Sequence, residues 1–594
     1  MISEFYQTRA QRFEKEEAVC ERQSSRYSWL RLFIMILAIA SGIVLFPQSV
    51  LFGTAAVLVL LCIFAVCLKK HASVIERQQQ NERLKTINLW EINCLNGDFS
   101  SYAPGNQYTD AKHFYTSDLD IFGEHSLFRY LNRAASPSGS NMLAEWLNRP
   151  AATTEIEDRR QAVIELAGMV DFRQKIQAVG LKHKDVGGEL PEFLKWLRSD
   201  VALSGARTLL RIMQILPWIT LASATVSACG WVPSSVAWLF AVAHFVIYGS
   251  MARKINHLHQ QVSGKVRFIS TYSELIGLIT STEFSSRYLV TLRDRFVETD
   301  AIQQISALRN RVKRLDYRLN MMFIPLNMLF FFDYKHLVML ERWRTGAGQE
   351  LPRWFDALAR IEALSSFANA LHNNPRWTMP VIRDEYFTLE AKNIGHPLIP
   401  EKDRICNDFS LNGAGQIAVV TGSNMSGKST FERSLGVNIT LALAGAPVCA
   451  DAFTVTNCRL YTYMRIADSL EDHTSSFYAE LKRLKELIDI SNDGERVFFL
   501  LDEVLRGTNS RDRQVGSMAL IRQLAARRVS GIIATHDLAL GELERELPGN
   551  IHNSHFDVRI NGDDMFFDYK LCAGICVSLN ASTLMKKIGI DVTG

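Results

Sequence analysis

Residues 417–430 read IAVVTGSNMSGKST. A short apolar strand ends at Thr421, a glycine-containing turn follows, and helix-compatible residues come next. Gly422-x-x-x-x-Gly427-Lys428-Ser429 meets the P-loop pattern in full. The glycines permit backbone conformations that aim several N–H groups at phosphate oxygens. The helix opening at this point adds the positive end of its dipole. Gly422, Ser423, Asn424, Met425, Ser426, Gly427, Lys428, Ser429 and Thr430 are therefore the expected nucleotide-binding loop. Within it, Lys428 supplies charge to the β and γ phosphates and the Ser429 hydroxyl is a ligand for Mg²⁺. ATP and Mg²⁺ are the cofactors this pattern implies.

Further along, the run VFFLLDE ends on Asp502 and Glu503, and Asp502 lies 74 residues after Lys428. That gap fits one nucleotide-binding core. Asp502 is expected to hold Mg²⁺, directly or through water, and Glu503 to orient and polarise the attacking water as general base. An isolated Asp-Glu after an apolar run is usually a strand end facing solvent; the neighbouring P-loop favours the catalytic reading. A third run, GIIATH, ends on His536. A lone histidine is more often structural, but one at a strand end in such a sheet can reach the γ-phosphate and report its presence. From about residue 380 short β-rich runs alternate with helices, which predicts an α/β domain with a largely parallel sheet.

The rest of the chain differs. At 594 residues it is too long for one core. A content of 47% hydrophobic and 22% charged residues excludes a disordered protein. The net charge of +4 neither demands nor excludes nucleic acid, because a basic surface can sit in a neutral whole. The ten cysteines are scattered and form no pair of CxxC knuckles, so they read as buried thiols and not as a zinc site. From about 118 to 200, apolar residues recurring at three and four predict amphipathic helices, and from 255 to 375 more long helices are expected, rich in Leu, Phe, Arg and Glu.

Residues 32–46 and 50–68 carry no charge, and only Pro47-Gln48-Ser49 separates them. Two such spans joined by a tight turn make a helical hairpin through a bilayer. Arg26 and Arg31 precede it and Lys69 and Lys70 follow, so the positive-inside rule puts both ends in the cytoplasm. A cleaved signal peptide fits poorly, because the charged stretch before it is long and a second span follows at once. A weaker pair at 212–229 and 231–251 contains Gln214, Pro217, Pro233 and His244. It reads as a second hairpin of the same orientation or as a buried soluble helix pair. The run Met321 to Phe332 is too short to span and reads as core or as an interfacial segment.

Four passages around the nucleotide core resemble the MutS DNA mismatch-repair family. They are the loop Thr421–Thr430 with its Asn424-Met425 pair, LLDEVLRGTNSRDR at 500–513, ADSLEDHTSSFYAEL at 467–481, and Gly395-His396-Pro397. The family generally has glycine where Ser426 stands. The third passage is similar to the signature whose serine enters the partner subunit's nucleotide site; Ser475, Ser476 and Phe477 occupy that place here, after Asp472-His473-Thr474 instead of the family's small or glycine-containing approach. In the helices, residues 126–166 and 354–371 are similar to the family's core domain. The family's mismatch-reading domain with its Phe-x-Glu wedge has no counterpart, and the place of the lever and DNA clamp holds the second apolar pair.

Together, the apolar pairs and the resemblance imply a multidomain protein: an α-helical core with transmembrane helical hairpins, plus a C-terminal α/β P-loop NTPase domain like those of ABC ATPases. The expected divisions are a cytoplasmic helix at 1–27, a transmembrane hairpin at 28–70, a linker at 71–117, a helical core at 118–375 with the second hairpin at 212–251, and the ATPase domain at 376–594. The implied function is a membrane-anchored, ATP-hydrolysing dimer switch that binds DNA without the usual wedge. Its partners would be ATP, DNA, membrane lipid and a second copy joined through the ATPase domains. The location would be the inner membrane, multi-pass, with the ATPase facing the cytoplasm. The alternatives are an ABC-type membrane ATPase and an ATP-dependent membrane scaffold acting on a partner other than DNA.

Overall fold

A computed structural model describes residues 2–183, 193, 195–197, 206–262, 266–316, 324–385, 387–423, 425–464, 476–492, 495–561 and 564–576. The chain divides into two compact units, one of residues 1–133, 141–170 and 363–594, the other of 134–140 and 171–362. The single helical core expected over 118–375 is thus shared between two units.

The first unit opens with two long helices, Ile2–Leu45 and Val50–Leu95, joined at Phe46-Pro47-Gln48-Ser49. Both are long and apolar enough to cross a membrane. Along their apolar halves the large side chains face outward: Phe33 is 63% exposed, Ile43 71% and Phe52 71%. Their polar halves pair with each other through Lys85 Nζ to Glu17 Oε2 at 2.6 Å and Ser24 Oγ beside His71 Nε2 at 2.9 Å. The stretch after residue 70, read as the start of a linker, is therefore helix through Leu95. Its last turns anchor in the unit's core. The buried Glu91 carboxylate takes Arg133 Nε at 2.5 Å, Tyr102 Oη at 3.0 Å, Asn369 Nδ2 at 3.1 Å and Asn373 Nδ2 at 2.8 Å.

The C-terminal part of this unit is an α/β domain. Its strands are β1 Val381–Arg383, β2 Thr388–Ile394, β3 Asn407–Asn412, β4 Ile417–Thr421, β5 Ala452–Thr456, β6 Arg459–Tyr463, β7 Val497–Asp502, β8 Ser530–Thr535, β9 Ile551–Phe556, β10 Arg559–Asn561, β11 Asp564–Phe566 and β12 Leu571–Ala573. The main sheet runs β12-β9-β4-β8-β7-β6; all neighbours are parallel except β12, which is antiparallel at the edge. Every residue of β4, β7 and β8 is buried. Strands buried on both faces read as continuous apolar runs, which is why IAVVT, VFFLL and GIIAT stood out. The helices Lys428–Ala444 and Ser510–Ala526 follow β4 and β7. A smaller mixed sheet runs β1-β5-β2-β3, and β10 with β11 forms a short antiparallel ribbon.

The second unit is helical. The second apolar pair forms the helices Ala206–Ala228 and Ser234–Val262, with Gly230 at φ +77° in the turn between them. Trp218, Trp231 and Trp238 are 65%, 82% and 70% exposed. Among the described residues of this pair, Ser234–Ser250 is a shorter apolar helix. The run Met321 to Phe332 lies partly outside the described residues. Its described part, the helix Ile324–Phe330, packs on this pair: His244 Nε2 is 2.7 Å from the Met328 carbonyl, and the Phe330 and Trp218 ring centroids are 5.8 Å apart. The helices Val266–Thr280, Arg287–Val297, Ala301–Asp316 and Phe332–Thr345 complete the unit, with the first half of Leu351–Asn373.

Candidate functional site

The site sits at the C-terminal ends of β4, β7 and β8, where an open parallel sheet presents its loops. After β4 the backbone turns sharply at Gly422. A Cβ there would lie 2.7 Å from Ser426 Oγ and 3.1 Å from the Phe556 carbonyl, with φ at +156°. Gly427 has φ +106° and a Cβ on it would meet the Tyr569 ring at 3.0 Å. Side chains are excluded at both ends of the loop, as a loop presenting its backbone to a ligand requires. Met425 takes φ +72° with its side chain 76% exposed. Asn424 lies outside the described residues.

Lys428 opens the helix and is buried. Its ammonium donates to the carbonyls of Gly422 at 2.8 Å and Ser423 at 2.9 Å. Two of its three protons thus brace the loop. Burial pulls its pKa below the ordinary value, although the Glu503 and Asp502 carboxylates oppose this. Ser426 Oγ is buried and has no hydrogen-bond partner among the described residues.

Ser429 Oγ donates to Asp502 Oδ2 at 2.5 Å. The P-loop hydroxyl and the β7 carboxylate therefore meet as expected. Asp502 is 6% exposed, and burial raises its pKa despite the Ser429 hydrogen bond and Arg506. A buried carboxylate short of compensating charge, beside a hydroxyl oxygen, is an oxygen donor set that fits a hard divalent cation such as Mg²⁺.

Glu503 turns the chain out of β7 at φ +50°, and its N–H donates to the Ala534 carbonyl on β8 at 2.9 Å. Its carboxylate lies between two cations or potential cations. Arg506 Nε is 3.1 Å from Oε2, and His536 Nδ1 is 3.3 Å from Oε1. The structure thus brings Glu503 and His536 together at the ends of adjacent strands. The sequence reading missed Arg506; its position four residues after Asp502 was the available signal.

A pocket of about 680 Å³ opens over these groups, lined by Gly427, Lys428, Ser429, Thr430, Glu503 and Arg506 on one side. His396, Asn407 and Tyr569 line it too. Burial, then Arg433 and Arg404, push the His396 pKa down to about 4, so its ring is neutral at pH 7. Asn438 fixes that corner, donating to the Gly395 carbonyl at 3.0 Å and accepting from Cys449 N at 2.6 Å. Asn407 holds the Tyr569 carbonyl at 3.1 Å and accepts from Leu571 N at 2.9 Å.

Of the expected trans signature, Ser475 lies outside the described residues and Ser476 is the first residue of the helix Ser476–Asn492. That helix is tied to the turn after β7 by two contacts. Buried Glu480 accepts the Leu505 N–H, and a Cβ on Gly507 would meet the Phe477 Cβ at 2.7 Å. No sequence motif marks Glu480; only its placement gives it a role.

Chemically, the arrangement can bind a polyphosphate on backbone N–H groups and Lys428, hold a divalent cation on Ser429 and Asp502, and polarise a water on Glu503. The family model described as MutS domain V matches residues 418–589. The DNA mismatch repair protein MutS of Persephonella marina is 33% identical over 219 residues, 36% of this chain and 24% of that protein. The MutS of Thermotoga maritima is 33% identical over 222 residues, covering 37% and 27%. The DNA mismatch repair protein MutS 2 of Halobacterium salinarum is 29% identical over 265 residues, covering 43% and 30%. The match spans 24% to 30% of these relatives' own length. The family model's match falls on the domain that carries the loop, the Asp502-Glu503 turn and the His536 strand end, and that domain is similar to MutS domain V.

Proposed function

We propose that the chain is a membrane-anchored ATP hydrolase that works as an ATP-driven dimer switch and acts on DNA. The observation that carries the hydrolase reading is the convergence of Lys428, Ser429, Asp502, Glu503 and His536 at the ends of three adjacent strands. Lys428 and the loop N–H groups bind and orient the β and γ phosphates. Mg²⁺, held by Ser429 and Asp502, would neutralise phosphate charge. Glu503 orients the attacking water and takes its proton as the bond between the γ-phosphorus and the bridging oxygen to ADP breaks. His536 and Arg506 position that carboxylate.

Three further parts of the reading have separate supports. The likeness of ADSLEDHTSSFYAEL to the family signature supports a homodimer in which Ser475 and Ser476 reach the partner's nucleotide. The Glu480–Leu505 and Phe477–Gly507 contacts then give closure a route back to Glu503. DNA as the substrate is supported by relatives that are DNA mismatch repair proteins. Anchoring in the cytoplasmic membrane, with the ATPase domain on the cytoplasmic side, is supported by the helices Ile2–Leu45 and Val50–Leu95, their outward apolar side chains and their basic flanks.

ATP turnover of the detergent-solubilised chain, with and without linear, branched and mismatched DNA, tests the whole. Stimulation by DNA that vanishes in Glu503→Gln is expected. Turnover indifferent to every DNA, with no retention on DNA at low salt, would leave the ATPase and remove the DNA role, favouring a membrane scaffold with another partner. ATP-driven solute flux in vesicles would favour the transporter alternative.

A further inference from the structure

In the second unit, the helices Ala301–Asp316 and Phe332–Thr345 pack side by side: the Arg311 guanidinium donates to the Met339 carbonyl at 3.1 Å. Arg314 lies near Arg311 on the first helix, and Lys335, Met339 and Arg342 are exposed along one face of the second. The two acidic residues of that second helix do not offset these charges. Asp333 is buried against Asn327, and Glu341 is buried against Arg344 at 2.6 Å. Among the described residues no carboxylate lies within ion-pair distance of Arg314, Lys335 or Arg342. Burial, then the charges of Arg314, Lys335 and Arg311, push the His336 pKa down to about 4.

One turn before Lys335, buried Phe331 stacks on buried His244 at 4.3 Å, and the partly exposed Phe330 meets the exposed Trp218 at 5.8 Å. The apolar pair on which they rest exposes Trp238, Leu239 and Phe245 at 60% or more. Cations without a carboxylate partner among the described residues, one turn from Phe330 and the exposed Trp218 that it meets, match the change from headgroup to acyl chain at a bilayer face.

We propose that Arg311, Arg314, Lys335 and Arg342 form a docking surface for the anionic headgroups of a phospholipid bilayer. The proposal rests on the membrane reading above and adds to it a lipid class and the residues that select it. Cations near a charged bilayer surface each add roughly fivefold to its affinity, and salt weakens the effect.

The test uses the full chain reconstituted into vesicles of phosphatidylcholine with trace spin-labelled lipid, comparing labelled phosphatidylglycerol with labelled phosphatidylcholine. Preference for phosphatidylglycerol is expected in the wild type, declining as salt rises. The Arg314→Gln/Lys335→Gln variant should lose roughly fivefold or more of that preference. The charge-preserving Arg314→Lys/Lys335→Arg variant should keep it, which separates loss of charge from misfolding. Stable incorporation with equal preference for both lipids would overturn the docking surface and leave the anchor intact. So would a preference that the glutamine variant retains. Release of the chain from vesicles by an alkaline wash would overturn the membrane reading and this proposal with it. A short DNA duplex bound at low salt by the wild type and not by the glutamine variant, without lipid preference, would reassign the surface to nucleic acid.

Discussion

At the scale of single residues, Glu503 and Glu480 make different predictions although both are acidic and near the same turn. Glu503 faces the pocket between Arg506 and His536. Replacing it by glutamine keeps its shape and removes its capacity to accept a proton. ATP turnover should fall by about 10²–10⁴-fold, while binding of a fluorescent ATP analogue stays within a few-fold of wild type. Weak binding in that variant would mean that Glu503 shapes the pocket instead of serving the reaction. Glu480 is buried and accepts the Leu505 N–H. Glu480→Ala leaves buried donors unpaired, at about 1–3 kcal/mol. Its thermal unfolding midpoint should drop, and turnover should drop with it, because the turn carrying Glu503 loses its brace. The glycines and Lys428 were legible in the sequence because their chemistry depends on local spacing. Arg506, Asn438, Asn407, Tyr569 and Glu480 were not, because each acts through a partner far away in the chain.

At the scale of elements, the parallel sheet was legible because buried parallel strands are uninterrupted apolar runs. The same feature makes β8 intolerant. A Cβ on Gly531 would lie 2.4 Å from the Phe499 carbonyl and 2.5 Å from its ring. That obstacle is backbone in the neighbouring strand β7, which cannot swing aside. Gly531→Ala should therefore destabilise the domain by about 1–3 kcal/mol or more, measured by chemical unfolding, and should misplace both Asp502 and His536. Unchanged stability would mean that β7 and β8 are spaced more widely than the pairing Phe499 to Gly531 indicates. The polar helix after residue 70 was harder to read. Its residues are charged and sparse in apolar side chains, so periodicity alone gave a linker. What makes it helix is the antiparallel partner from the N-terminus, through Lys85 with Glu17, Asn81 with Cys20, and His71 with Ser24 and Arg31. Such a pairing joins positions 40 to 68 residues apart, beyond the reach of a sequence window.

At the scale of the whole molecule, the apolar hairpin has to be held to the α/β domain. Within the first unit the attachment is one buried cluster. Glu91, at the end of the second long helix, meets Arg133, Asn369 and Asn373, and Tyr6 of the first helix donates to Asn373 Oδ1 at 2.6 Å. Asn369 and Asn373 end the helix that leads directly into β1. Burial by itself would raise the Glu91 pKa, but Arg133 and the two asparagines outweigh it and hold the carboxyl below its ordinary value of 4.5. A group with a depressed folded pKa contributes stability above its unfolded pKa and loses it as pH falls through the folded value. The hairpin's attachment should therefore be intact at neutral pH and weaken progressively below about 4.5. Removing the carboxylate leaves the Arg133 guanidinium buried and unpaired, a defect of about 3–5 kcal/mol. Glu91→Ala should lower the unfolding midpoint at pH 7 and flatten its decline under acid. In limited proteolysis at pH 7 it should also release a fragment cut near residues 96–101, where the chain leaves the helix. If Glu91→Ala unfolds at the wild-type midpoint and resists cleavage there, the load between hairpin and α/β domain is borne elsewhere, and the Glu91 cluster is only a local packing solution.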